Sequence, residues 1–252
     1  LEIELVPDED VTVECPGLEL AVGEQNIVEK SARLFLQHVG SGQGVKITVD
    51  KKIPAAAGLG GGSSDAAAVL ETLDDMLGTG LPRAELRALG RRLGADVPFF
   101  LYKQTAWATG IGDRLEAWPG LPPVWLVLVN PRLAVSTAWV FRNLGLTHHR
   151  PIAKLPRFPQ GISALVRLLH NDLEAVTCQH HPVVATIKNR LLASGAEGAL
   201  MSGSGPTVFG LFAERGRAER AAAADPGLAA ATFPGRPVPL ELGAFDVIAE
   251  IK

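Results

Sequence analysis

One run, Pro54-Ala55-Ala56-Ala57-Gly58-Leu59-Gly60-Gly61-Gly62-Ser63-Ser64-Asp65-Ala66-Ala67-Ala68, limits what this chain can fold into more than any other. Four glycines between Gly58 and Gly62 open backbone dihedrals closed to other residues and let main-chain N–H groups approach a ligand with no Cβ in the way. Ser63, Ser64 and Asp65 are N-cap residue types, and Ala66 to Leu77 is a run of good helix formers. The expected structure is a loop that empties into a helix N-terminus, where unpaired N–H groups and the positive end of the dipole attract phosphate. A flexible turn ahead of a surface helix is the plainer alternative. Asp65 is ambiguous in either case: a first-turn carboxylate suits the dipole but repels phosphate unless a cation intervenes.

Two familiar phosphate loops do not fit. A Walker loop needs Gly-Lys-Ser/Thr, and the chain has no Gly-Lys dipeptide; the dinucleotide pattern needs a glycine where Ser63 follows Gly58-Leu59-Gly60. The flanking pattern supports the loop-to-helix reading. Val45, Ile47 and Val49 alternate as a strand that leads through Lys51-Lys52-Ile53-Pro54 into the glycines, which gives the order strand, loop, helix.

Other segments follow the same logic. Leu1 to Leu5, Val11 to Cys15 and Leu18 to Leu20 alternate as short strands, and Asn26-Ile27-Val28 opens a helix that buries Ile27, Ala32, Phe35 and Leu36 and stops at Gly40. A helix from Leu81-Pro82-Arg83 is expected to end near Gly94, with Asp96 in the loop beyond it. Val124 to Val129 reads as a strand buried on both faces, followed by a helix capped by Ser136 or Thr137. Residues 145 to 160 read as a surface loop, helices are expected near Ile162 to Leu169, Asp172 to Thr177, Val183 to Ser194 and Arg215 to Ala224, and strands at Ala199 to Met201, Thr207 to Phe212 and Phe245 to Ile251. The Pro- and Gly-rich stretch up to Pro123 suggests two domains, 1–120 and 121–252, in an α+β protein.

Composition excludes several functions. The 252 residues carry a net charge of −3, which gives no footprint for nucleic acid or an anionic membrane surface, so an anion must be held by local geometry. No apolar run reaches the length of a membrane span and no signal-peptide pattern is read. Cys15 and Cys178 do not suggest a disulfide framework, and the expected location is the cytoplasm. The pairs His148-His149 and His180-His181 lack the spacing of helical zinc ligands, so no zinc site is expected.

The run Pro54 to Ser64 resembles the phosphate-binding motif of the galactokinase, homoserine kinase, mevalonate kinase and phosphomevalonate kinase (GHMP) superfamily. Three further segments, Gly94-Ala95-Asp96-Val97-Pro98-Phe99-Phe100, Asn130-Pro131 with Ser136-Thr137-Ala138, and Met201-Ser202-Gly203-Ser204-Gly205, are similar in order and spacing to the branch that phosphorylates 4-diphosphocytidyl-2-C-methyl-D-erythritol. The resemblance implies a two-domain fold: an N-terminal domain like domain 2 of ribosomal protein S5, and a ferredoxin-like α/β sandwich. It implies ATP and Mg²⁺ as cofactors, a small cytidine diphosphate-linked substrate, and a monomer or weak homodimer. Homoserine or a sugar as acceptor, or nucleotide binding without catalysis, are the alternatives.

The resemblance also suggests roles. Asp96 matches the catalytic aspartate; the bland alternative is a turn cap before Pro98. The backbone from Pro54, Ala55, Ala56, Ala57, Gly58 and Leu59 to Gly60, Gly61 and Gly62, with the Ser63 and Ser64 hydroxyls, would hold the ATP phosphates, and Asn26 with nearby Lys30 resembles the segment beside the adenine. Thr137 and Phe141 match positions near the cytidine, though Phe141 also has helix-core spacing with Leu144. Gly203 and Ser204 would pack beside the first loop and shape the site. A Pro-x-Lys-x-Asn-Leu strand and a Gly-Tyr-His segment of that branch are not found, and the chain opens at Leu1, so the sequence is expected to be the remainder of a longer protein.

Overall fold

A computed structural model describes residues 1–17, 26–118, 124–145, 161–224 and 240–241. The strands expected at Leu18 to Leu20 and Phe245 to Ile251, and residues 146–160 of the expected loop, lie outside the described residues. The chain divides into two compact units that are not contiguous in sequence. The first is Leu1–Ala55, Gly60–Lys103 and Gly110–Leu115; the second is Ala56–Leu59, Gln104–Thr109 and Glu116–Lys252.

In the first unit, β1 (Glu2–Val6) and β2 (Val11–Glu14) flank β3 (Gly44–Thr48), antiparallel and parallel respectively. Period-two alternation puts Val45 and Ile47 of β3, and Val49 just after it, in the core. Helix α1 (Ile27–Val39) adds Val28, Ala32, Phe35 and Leu36, the one-sided spacing of an amphipathic helix. It starts at Asn26, whose Oδ1 accepts from the Val28 N–H at 3.0 Å, and stops at Gly40 in the left-handed region (φ 66°). Helix α2 (Gly61–Leu77) contributes Ala66, Val69, Leu70 and Leu73. Leu86 and Leu89 come from α3 (Arg83–Leu93), and Val97 and Leu101 from α4 (Val97–Tyr102).

Asp96 lies in the short bend between α3 and α4, as expected, and the chain re-enters a helix directly after it. A proline in the first turn loses no intrahelical hydrogen bond, and α4 carries Pro98 there. The α3–α4 packing is close: a Cβ on Gly90 would meet Leu101 Cδ1 at 2.9 Å and Val97 Cγ1 at 3.0 Å.

β4 (Ala106–Thr109) and β5 (Arg114–Ala117) form a two-stranded sheet. In the second unit, β6 (Trp125–Val129) is central in an antiparallel sheet of order β7-β8-β6-β9, with β7 (Gly198–Met201), β8 (Val208–Phe212) and β9 (Leu240–Glu241). That order is the split β-α-β arrangement of ferredoxin-like sandwiches. β6 is apolar throughout because both faces are covered. Val127 and Val129 meet one cluster, with α5 (Thr137–Asn143), α7 (Asp172–His180), α8 (Pro182–Ala193) and α9 (Arg215–Ala224). Leu126 meets the other, with Trp118 and α6 (Ile162–Val166).

Phe35 is fully buried in the first core. Phe35→Ala is expected to lower stability by about 3–5 kcal/mol, the cost of removing an aromatic ring from a packed core, read as the shift of a denaturant unfolding transition.

Candidate active site

The glycine loop serves both units in turn. Ala56–Leu59 counts with the second unit, and from Gly60 the chain rejoins the first. Left-handed dihedrals at Ala56 (φ 51°), Gly58 (φ 72°) and Gly60 (φ 65°) set its path.

Gly60 is the N-cap of α2, and no side chain caps the helix. Ser63 and Ser64 therefore lie inside the first turn and Asp65 just beyond it, not ahead of the helix, and the expected cap is corrected. The physical reason is that Gly60 adopts the dihedrals which end the loop, so the helix begins at Gly61 despite its glycines. The first intrahelical bond at this end runs from the Ser64 N–H to the Gly60 carbonyl at 2.9 Å. By helix geometry the N–H groups of Gly61, Gly62 and Ser63 point out of the N-terminus, where anions bind.

Lys51 stands beside this helix start. Its Nζ is 2.5 Å from Asp65 Oδ2, with both side chains about four-fifths buried, and it would lie 3.6 Å from a Cβ on Gly61. The Asp65 carboxylate is thus neutralised by an ammonium group, which removes the repulsion it would exert on a bound phosphate. Sequence reasoning passed over Lys51; the available signal was a pair of lysines directly ahead of Pro54. Within the same unit, Phe100 of α4 packs on Gly60, since a Cβ there would meet its ring at 2.9 Å. Asp96 occupies the N-cap position of α4 but makes no side-chain cap bond, and its Oδ1 would be 3.7 Å from a Cβ on Gly112. Asn26 caps α1.

The second unit holds the other half of the loop. The Ser202 hydroxyl donates to the Gly58 carbonyl at 2.7 Å, and the Thr207 N–H to the Ala57 carbonyl at 3.4 Å. A Cβ on Gly58 would lie 2.2 Å from the Ser202 carbonyl oxygen and 3.0 Å from that of Gly205. The turn between β7 and β8, with Gly203 (φ 54°) and Gly205 (φ 82°) left-handed, therefore lies directly against the first loop. Thr207, fully buried, accepts from Asn130 Nδ2 at 2.8 Å.

Thr137 opens α5, which Ser136 caps, and its Oγ1 is 2.7 Å from Oγ of the buried Ser204. Val140, not Phe141, enters the core; the Phe141 ring is 37% exposed and so leaves the helix-core alternative. The structure thus joins Gly58, Ser202, Gly203, Ser204 and Thr137 in the second unit, and Lys51, Gly60, Gly61, Asp65 and Phe100 in the first. Among the described residues no group of three or more His, Cys, Asp or Glu could hold a metal ion, and no helix is long and apolar enough to cross a membrane.

Comparison with known proteins adds independent findings. The family described as "GHMP kinases N terminal domain" matches residues 26–104, and "GHMP kinases C terminal" matches residues 155–224. A protein of Syntrophotalea carbinolica named 4-diphosphocytidyl-2-C-methyl-D-erythritol kinase is 53% identical over 223 residues, covering 88% of this chain and 79% of its own length. A protein of the same name from Geobacter sulfurreducens is 48% identical over 222 residues, 88% of this chain and 80% of its own. A crystal structure of 4-(cytidine 5'-diphospho)-2C-methyl-D-erythritol kinase aligns with a TM-score of 0.69 at 36% identity, over 92% of this chain and 82% of that one. Homoserine kinase from Cytophaga hutchinsonii shares the fold, with a TM-score of 0.63 at 21% identity over 92% of this chain and 82% of its own.

Gly58 is the tightest point of the loop. Gly58→Ala combines a left-handed backbone with a collision against main chain, and is expected to cost roughly 1–3 kcal/mol of stability, measured by thermal unfolding beside a Gly78→Ala control that has left-handed backbone but open space.

Proposed function

We propose a reaction for this chain, which belongs to the GHMP kinase family: transfer of the γ-phosphoryl group of ATP to the 2-hydroxyl of 4-diphosphocytidyl-2-C-methyl-D-erythritol, in non-mevalonate isoprenoid precursor synthesis. The observation that supports this most is the α2 N-terminus, a helix opening with no side-chain cap, three glycines and a largely covered lysine beside it, in a chain 53% identical to a kinase of that name. Phosphoryl transfer asks a protein chiefly for positioning and charge stabilisation. An uncapped helix start supplies both.

The roles follow from the chemistry of each group. The backbone of Pro54 to Ser64, with the Ser63 and Ser64 hydroxyls, binds the ATP phosphates, and Asn26 lies by the adenine while capping α1. Asp96, at the start of α4, accepts the proton of the attacking hydroxyl or orients it. Phe141 stacks on the cytosine, a contact worth roughly 1–3 kcal/mol, while Thr137, Gly203 and Ser204 line the substrate region.

Mg²⁺ fits this donor set as an ion carried by the phosphates. Asp65 is occupied by Lys51 and no cluster of carboxylates stands ready among the described residues, which leaves phosphate oxygens and the Ser63 and Ser64 hydroxyls to hold it. When bound it neutralises phosphate charge. A monomer or weak homodimer in the cytoplasm completes the reading.

The deciding assay is ADP release with ATP, Mg²⁺ and the cytidyl substrate, beside homoserine and galactose, for this chain and for Asp96→Asn. Turnover with the cytidyl substrate alone is expected, with kcat falling by about 10²–10⁴ in the variant at an unchanged melting temperature. Turnover on homoserine, or an Asp96→Asn rate equal to the parent's, would refute the assignment.

A further inference from the structure

Asn171 is the N-cap of α7, but capping uses only one side of its amide group. Oδ1 accepts from the Leu173 N–H at 2.9 Å, while Nδ2 donates to the carbonyls of Met201 and Gly203, both at 2.8 Å. All three hydrogen-bonding directions of the amide that matter here are used, and a flipped amide would set its oxygen against two carbonyls. Two further side chains of α7 reach the same turn. Glu174 Oε2 accepts from the Met201 N–H at 2.9 Å, and the buried Thr177 hydroxyl donates to the Ser204 carbonyl at 3.1 Å. Positions 171, 174 and 177 recur every three residues, so one stripe of the helix holds four backbone groups of the turn.

We propose that Asn171 is a positioning residue of the kinase site: it fixes the Gly203–Ser204 peptide so that the Ser204 N–H is held out to an anionic group of the ligand. In a planar trans peptide the N–H points opposite to the carbonyl. With the Gly203 carbonyl drawn onto Asn171, the Ser204 N–H faces away from α7. The next N–H, of Gly205, is turned back onto the Ser202 carbonyl at 2.9 Å, so it closes the turn. The same turn carries Ser202, whose hydroxyl holds Gly58 of the first glycine loop. Asn171 touches neither reacting group; it acts through the turn. This rests on the kinase reading above and extends it to a residue outside every glycine motif.

Asn171→Ser separates the two uses of the side chain, because a serine still caps the helix but offers no pair of donors. Val184→Ala, at a buried position of α8, is the control for simple loss of stability. Hydrogen exchange of residues 201–207, read on ligand-free protein, is expected to quicken about tenfold in Asn171→Ser and not in Val184→Ala. At temperatures well below both melting points, kcat/KM with ATP and the cytidyl substrate is expected to fall at least about tenfold in Asn171→Ser only, the scale of a small misplacement of catalytic geometry. Unchanged exchange in Asn171→Ser would overturn the proposal, as would an equal kinetic loss in Val184→Ala. Faster exchange in Asn171→Ser, with a parent chain that turns over no substrate, would instead refute the kinase reading and leave the hold on the turn standing.

Discussion

The approach of Gly58 to the backbone of Ser202 and Gly205 is the contact on which the rest of the loop depends. Ordinary side chains cannot enter it: a Cβ at Gly58 would sit 2.2 Å from a carbonyl oxygen. Only a residue with no side chain and free access to positive φ can lie there. The Ser202 hydroxyl then ties down the Gly58 carbonyl, and two residues later Gly60 turns the chain into α2.

The turn between β7 and β8 is held by polar side chains in a mostly apolar unit. Asn130, Thr177, Ser204 and Thr207 are all buried, and each has a hydrogen-bonded partner. A buried polar group without a partner costs more than an ordinary hydrogen bond returns, so such a network tolerates few alternative geometries.

Local signals in the sequence were readable where one short-range rule decided the outcome. Asn26 and Gly40 mark the ends of α1, and Val45, Ile47 and Val49 fill one face of the first core. The family followed from motif order along the chain, and matches to both GHMP kinase domains agree with it. The start of α2 was misjudged because serine and aspartate are better caps than glycine by propensity, whereas the dihedrals of Gly60 decided the matter. Helix α4 was missed because Pro98 stops a helix interior but suits a first turn. The ion pair of Lys51 with Asp65 and the hold of Asn171 on the β7–β8 turn join residues 14 and 30 or more positions apart, beyond the reach of any pattern in the sequence.

The bond from Ser202 to Gly58 spans 144 residues. Closing a flexible loop of that length costs about 4 kcal/mol of chain entropy before any contact within it offsets the loss. Helix α2 and its neighbours draw on nearby sequence and can form early, but the loop that precedes α2 waits for a strand pair near the other end of the chain. During synthesis the chain must therefore be extended well past Ser202 before its glycine loop can acquire a fixed shape. The fixed shape of the glycine loop is therefore a late product of folding.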